Sequence, residues 1–221
     1  MPRIFRFLPE IGVFHILTRG NNRQKVFRDD KDYQFYLELL QRYKEEHNFL
    51  LYHYCLMPNH VHLILETTRQ TDLSKLMKQI NLKYHYYFRR RYRYCGHLWQ
   101  GRFKSLLIEK DSYLIACARY IERNPVRAKM VEKAEDYRWS SYLYYVNGKN
   151  NPLLDRDPLY QGLGVDDKKR QESYQLSLDK THTPNLNLRF IGSNPFIKAM
   201  EEKFGIKNLK SKRGRPIKAN K

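Results

Sequence analysis

Acidic residues are scarce in this chain. Its 221 residues carry 23 Asp and Glu against 42 Lys and Arg, a formal net charge of +19. A surface so short of carboxylates argues against a cationic partner and favours a polyanion. Cysteine is scarcer still: Cys55, Cys95 and Cys117 stand far apart, with no Cys-x-x-Cys pair. That excludes a disulfide framework and a thiolate zinc site, and it suits a reducing cytoplasm. A mixed zinc site of Cys55, His60 and His62 would lack the second close ligand pair that structural zinc uses. Long apolar runs are missing too, and a spanning helix needs about 20 apolar residues. The opening Met1-Pro2-Arg3-Ile4-Phe5-Arg6-Phe7-Leu8 shows no apolar stretch leading to a small-residue cleavage site. The expectation is a cytoplasmic protein with no membrane partner. Hydrophobic residues, by contrast, make up 41% of the chain, which argues against wholesale disorder and suffices for a core.

Residues 13–19 read as a first strand, ended by the turn-forming Gly20-Asn21-Asn22. Tyr33, Tyr36, Leu37, Leu40 and Tyr43 recur at three and four, which predicts a helix over residues 30–46 with Asp29 or Asp30 as its N-cap. Residues 49–57 form a second strand, and Met57-Pro58-Asn59 turns into a third, His60 to Thr67. A second helix starts near Asp72, with Leu73, Leu76, Met77, Ile80, Tyr84 and Tyr87 at helical spacing. Phe103 to Glu109 read as a fourth strand, followed by a helix capped by Asp111 or Ser112. Strand–helix–strand–strand–helix–strand is the split β-α-β pattern, so the expected fold is α+β and ferredoxin-like: one antiparallel sheet with helices packed on it. The first domain spans residues 1–131. A helical extension over 132–206 follows, with short amphipathic helices at 166–178 and 194–204, and then a basic tail over 207–221. From Lys207 to Lys221 there are seven Lys and Arg and no acid, the composition of a disordered segment.

Side chains alternate across a strand, so His60 and His62 point the same way, one pleat apart, opposite Val61, Leu63 and Leu65. Two imidazoles at that spacing can share one divalent metal. Downstream, Tyr120 and Asn124 stand at i and i+4 on one helix face, and Pro125 places Asn124 at a frayed or kinked helix end. A metal pair, a phenol and an amide ligand are parts suited to attack on a phosphodiester. The same residues read equally as buried histidines and, in a stripe with Tyr113 and Cys117, a core tyrosine. Residue types and spacing alone leave both readings open.

The segment Met57-Pro58-Asn59-His60-Val61-His62-Leu63 resembles the histidine–hydrophobic–histidine motif of the IS200-like, single-tyrosine transposases of the HUH superfamily. The likeness extends, in colinear order, to Thr18-Arg19-Gly20-Asn21-Asn22-Arg23, to Leu98-Trp99-Gln100-Gly101-Arg102-Phe103-Lys104-Ser105, and to the segment from Ala118 through Tyr120 and Asn124 to Ala128. The greater length, the Tyr-x-x-x-Asn pair and the Arg-Gly-Arg-Pro tail look more like the REP-associated branch, although many compact members carry Gln where this chain has Asn124. The resemblance implies that His60, His62 and Asn124 hold Mg²⁺ or Mn²⁺. It also implies that Tyr120 is the nucleophile forming a 5′-phosphotyrosine, and that the substrate is single-stranded or hairpin DNA at palindromic repeats. A bacterial, nucleoid-associated protein acting as monomer or homodimer, with Tyr120 serving the histidines of its own chain, follows from the same source. A non-cleaving binder of chromosomal repeats is the alternative.

Residues 75–104 hold nine Lys and Arg, no acid, and eight aromatic rings, a composition suited to stacking and tracking single strands. The DNA-contact candidates are Arg19, Asn21, Arg23, Arg89, Arg90, Arg91, Arg93, Trp99, Arg102 and Lys104. In the tail, Lys212-Arg213-Gly214-Arg215-Pro216 resembles an AT-hook core, which makes Arg213 and Arg215 candidates for a narrow minor groove.

Overall fold

The computed structural model describes residues 8–177, 184–185 and 188–208. Four strands and two helices build the centre: β1 (Gly12–Arg19), α1 (Asp30–His47), β2 (Leu50–Met57), β3 (His60–Thr67), α2 (Leu73–Tyr92) and β4 (Lys104–Ile108). Asp29 caps α1 by accepting from the Lys31 and Asp32 amides, and Asp72 caps α2 by accepting from the Lys75 amide. Each cap satisfies donors that a helix start leaves open, worth about 1 kcal/mol.

The strands order β2-β3-β1-β4, antiparallel throughout, which is the split β-α-β arrangement, and a fifth strand follows at the β4 edge. One face of the sheet, with Phe14, Ile16, Val61, Leu63 and Leu65, packs against α1 and α2 around Tyr36, Leu40, Leu76, Ile80 and Tyr84. The other face, with Val13, Ile64, Leu106 and Ile108, is covered by α3 (Lys110–Glu122) through Leu114, Cys117, Ala118 and Ile121. Alternation along β3 therefore puts His60 and His62 on the α3 side. A short α4 (Asn124–Arg127) follows at once.

The α3 boundary differs from the sequence expectation. Glu109, not Asp111 or Ser112, sits at its N-cap and makes no side-chain cap bond. Its carboxylate accepts instead from the Ser193 amide and hydroxyl at 2.6 and 2.9 Å. A tertiary partner has displaced the local one.

Downstream residues close both edges of the sheet. Around Trp139–Ser141 the chain runs beside β2, with Leu56 N–H donating to the Trp139 carbonyl and Ser141 N–H to the Tyr54 carbonyl. Next come α5 (Tyr142–Asn147) and α6 (Asp167–Ser177). At the opposite edge β5 (Phe190–Ile191) pairs parallel to β4 and leads into α7 (Asn194–Phe204). A two-residue strand leaves no periodicity to read, so the sequence expectation of a purely helical extension missed it. Pairing at Leu107–Ile108 on one edge and around Tyr54–Leu56 on the other shortens the unpaired backbone that invites aggregation.

Among the described residues no helix is long and apolar enough to cross a membrane. Arg213 and Arg215 lie outside the described residues.

Candidate active site

His60 begins β3 and faces Arg19 at the end of β1; His62 faces Leu17. The tight approach of the two loops depends on Gly20. A Cβ there would collide with the Gln24 carbonyl oxygen, and the Gly20 amide donates to the Asn59 carbonyl at 2.8 Å. Asn59 is thereby fixed beside His60. Its amide NH₂ donates to the Arg23 carbonyl, so its Oδ1 is the atom that faces His60 Nδ1, at 2.5 Å. An oxygen acceptor requires a proton on Nδ1, which leaves the His60 Nε2 lone pair available to a ligand.

The His60 and His62 rings stand nearly perpendicular, centroids 4.8 Å apart. Burial, reinforced by the Arg19 charge, pushes the His60 imidazolium down to about 4. Burial also drives His62 far below the ordinary histidine range, with His15, His60 and Arg19 adding to it. Both rings are thus neutral near pH 7, the form that binds metal. Arg19 is half-buried, and its Nε has no hydrogen-bond partner among the described residues.

Tyr120 lies on α3, half-buried against the same apolar cluster that holds Ile64 and Cys117. The Arg127 guanidinium sits over its ring, 4.6 Å from the centroid. The histidines and Tyr120 therefore belong to one side of the sheet, although α2 and β4 intervene between them along the chain. Asn124 opens α4 and turns its NH₂ back to the Ile121 carbonyl at 3.2 Å. Among the described residues no group of three or more His, Cys, Asp or Glu could hold a metal. Completing a site on His60 and His62 would thus fall to another donor type, such as an amide oxygen.

The proposed DNA contacts are spread out. Asn21 and Arg23 lie on an exposed turn after β1. Arg89, Arg90 and Arg93 are exposed around the C-terminus of α2. Arg91 is engaged internally: it meets Asp29 at 2.5 Å and buried Asp32 at 2.8 Å, and donates to Tyr87 Oη at 2.6 Å. Trp99 donates from Nε1 to the Asn81 carbonyl at 2.9 Å, which pins the loop before β4 to α2. With Met77, Asn81, His85, Arg102 and Phe103 it lines a cavity of about 1350 Å³ on the α2 side. Lys104 is exposed at the start of β4.

Sequence reasoning missed two groups. His15, on β1, meets His62; the alternation Val13-His15-Leu17-Arg19 was the available signal. His53 on β2 is fully buried, with Nδ1 3.1 Å from Glu122 Oε1 and Nε2 3.0 Å from Asp157 Oδ2. Glu122 also accepts from Ser141 Oγ at 2.5 Å and Tyr174 Oη at 2.8 Å. Burial alone would depress the His53 imidazolium, yet its bonds to Asp157 and Glu122 outweigh that and raise it to about 9. This cluster ties β2, the end of α3 and the downstream helices together, and its Glu122 lies between Tyr120 and Asn124 along the chain. No local pattern announces it, because His53 stands 69 residues from Glu122 and 104 from Asp157.

Comparison with known proteins places these features. A curated relative from Haemophilus influenzae, named as a REP-associated tyrosine transposase, is 31% identical over 104 residues, 40% of this chain and 56% of the relative. The chain thus matches little more than half of that relative's length. A solved REP-associated tyrosine transposase bound to a REP hairpin shares the fold, with a TM-score of 0.57 at 21% identity over 69% of this chain and 90% of that one. The model of the family described as transposase IS200 like matches residues 12–124, from the first strand through the histidine pair and the Tyr120 helix to Asn124, and the chain belongs to that family.

Proposed function

We propose that this protein is a metal-dependent transesterase that cleaves and rejoins single-stranded DNA at hairpin-forming palindromic repeats through Tyr120. The observation that carries the reading is the placement of two neutral imidazoles, His60 and His62, on the same side of the sheet as the Tyr120 helix. The donor set fits Mg²⁺ or Mn²⁺: His60 keeps a free Nε2 lone pair, and Asn124, whose NH₂ is engaged with the Ile121 carbonyl, would supply an amide oxygen. When bound, the ion would polarise a non-bridging phosphate oxygen and stabilise charge on the leaving 3′ oxygen.

Tyr120 then acts as nucleophile. Its Oη bonds to phosphorus and loses its proton, the P–O3′ bond breaks, and the 3′ oxygen leaves as a hydroxyl once protonated. The ester is exchanged, not hydrolysed, so attack by a 3′-hydroxyl on the 5′-phosphotyrosine reverses the step and rejoins strands. Arg127 over the Tyr120 ring restrains the ring plane. Arg19, whose Nε has no hydrogen-bond partner among the described residues, would meet a phosphate beside His60.

Hairpin DNA as substrate is supported by the REP hairpin on the solved relative that shares the fold. Asn21, Arg23, Arg89, Arg90, Arg93, Trp99, Arg102 and Lys104 would hold the backbone and stack bases, and Arg213 and Arg215 would add groove contacts. We assign one active site per chain, with Tyr120 serving its own histidines.

The test incubates purified protein with labelled oligonucleotides spanning palindromes that flank its gene, with Mn²⁺ or Mg²⁺, and resolves them on a denaturing gel. A protease-sensitive adduct that needs metal and disappears in Tyr120→Phe is expected. Tight hairpin binding without any adduct would sink the enzyme reading and favour a non-cleaving repeat binder.

A further inference from the structure

His15 is completely buried on β1, and its Nε2 lies 2.7 Å from His62 Nδ1. The two rings are inclined by only 13°, with centroids 5.0 Å apart. A stacked pair would sit closer than its hydrogen-bonding edges allow. The 5.0 Å separation is instead what two nearly coplanar imidazoles span when one N–H···N bond joins them edge to edge. The far nitrogen, His15 Nδ1, has no hydrogen-bond partner among the described residues.

Each such bond holds one proton, so its direction decides what His62 can do. If His15 Nε2 carries the proton, His62 Nδ1 accepts it and the neutral His62 must carry its own proton on Nε2. That nitrogen is then closed to a ligand. If His62 Nδ1 donates, its Nε2 presents a lone pair, and His15 takes its proton on the orphaned Nδ1. A buried donor without a partner forfeits the hydrogen bond that water would give it. A phenylalanine of similar volume would avoid that cost, so a histidine here calls for a reason beyond packing.

We infer that His15 is a positioning residue: it accepts from His62 Nδ1–H and so holds the His62 ring plane and tautomer with Nε2 free for the metal. This rests on the reading of His62 as a metal ligand. It parallels the Asn59 contact, which does the same for His60. The two rings are thereby set independently, one from the β2–β3 turn and one from β1.

Mn²⁺ affinity of the full chain, read by calorimetry and by the EPR signal of free Mn²⁺, tests this without any turnover. Expected values are a loss of about 10–100-fold for His15→Phe, the range for outer-shell partners, and recovery of most of it in His15→Gln, whose side-chain oxygen can accept the same proton. His62→Ala is the reference. If it leaves Mn²⁺ binding unchanged, the ligand assignment fails and the inference with it. If His62→Ala abolishes binding while folded His15→Phe stays within about twofold of the native protein, His15 is packing only and the inference alone is overturned. Nitrogen-15 NMR of the native protein with Mg²⁺ is independent of any variant. Protons on Nδ1 of both His15 and His62 are expected, and a proton on His62 Nε2 would overturn the proposal.

Discussion

Replacing His53 by Phe tests the buried network that joins the downstream helices to the Tyr120 helix. The native imidazolium lies between two carboxylates, Glu122 at 3.1 Å and Asp157 at 3.0 Å, all three wholly buried. Removing the cation strands both acids, and breaking a buried pair in this way costs about 3–5 kcal/mol. For a chain of this size that is a fall in Tm of roughly 6–20 °C. The pH dependence is a sharper signature. Because the folded value is raised from 6.5 to about 9, the stabilisation is complete below pH 6.5 and is lost as pH rises through 9. The shift corresponds to about 3 kcal/mol. Urea unfolding followed by circular dichroism at about pH 6 and about pH 9.5 should therefore show the native protein's advantage over His53→Phe narrowing by about that amount. An advantage equal at both pH values, or under about 1 kcal/mol at the lower one, would refute the assignment of a charged His53.

Other consequences follow from particular contacts. Arg91→Ala should cost about 2 kcal/mol in denaturant unfolding, since it strips a charged partner from buried Asp32. Arg89→Ala, Arg90→Ala and Arg93→Ala should leave stability within about 0.5 kcal/mol. Each of those three should instead lower the slope of hairpin affinity against salt by about 0.7–0.9, and unchanged slopes would remove that helix end from the DNA path. Gly20→Ala should destabilise by about 1–3 kcal/mol, because the Gln24 carbonyl cannot yield without moving the Asn59 loop. Mixing Tyr120→Phe with His60→Ala chains should give no adduct. Restored cleavage would show that active sites are shared between subunits.

Most of the central fold was legible because its signals are local. Period-two alternation fixed the faces of β3, so residue order alone could set His60 and His62 opposite Val61, Leu63 and Leu65. Asp29 could be read beside Asp30 as a candidate cap, and Asp72 as a helix start, because a capping side chain bonds amides two or three residues on. Arg91 shows the limit of such reading. In sequence it is one of four arginines in a basic run, and only the approach of α1 to α2 brings Asp29 and Asp32 to it.

By itself, then, the sequence determined the strand and helix periods, the basic surface, the histidine pair and the tyrosine helix, all carried by neighbours within a few residues. Tertiary structure alone decided what depends on contacts between distant segments. It covered both sheet edges with residues near Ser140 and Ile191. It placed His15 Nε2 against His62 Nδ1, 47 residues away. It also buried a charged histidine between Glu122 and Asp157, 69 and 104 positions from it. No propensity encodes these, because their energy exists only once burial has removed the water that would otherwise satisfy each group.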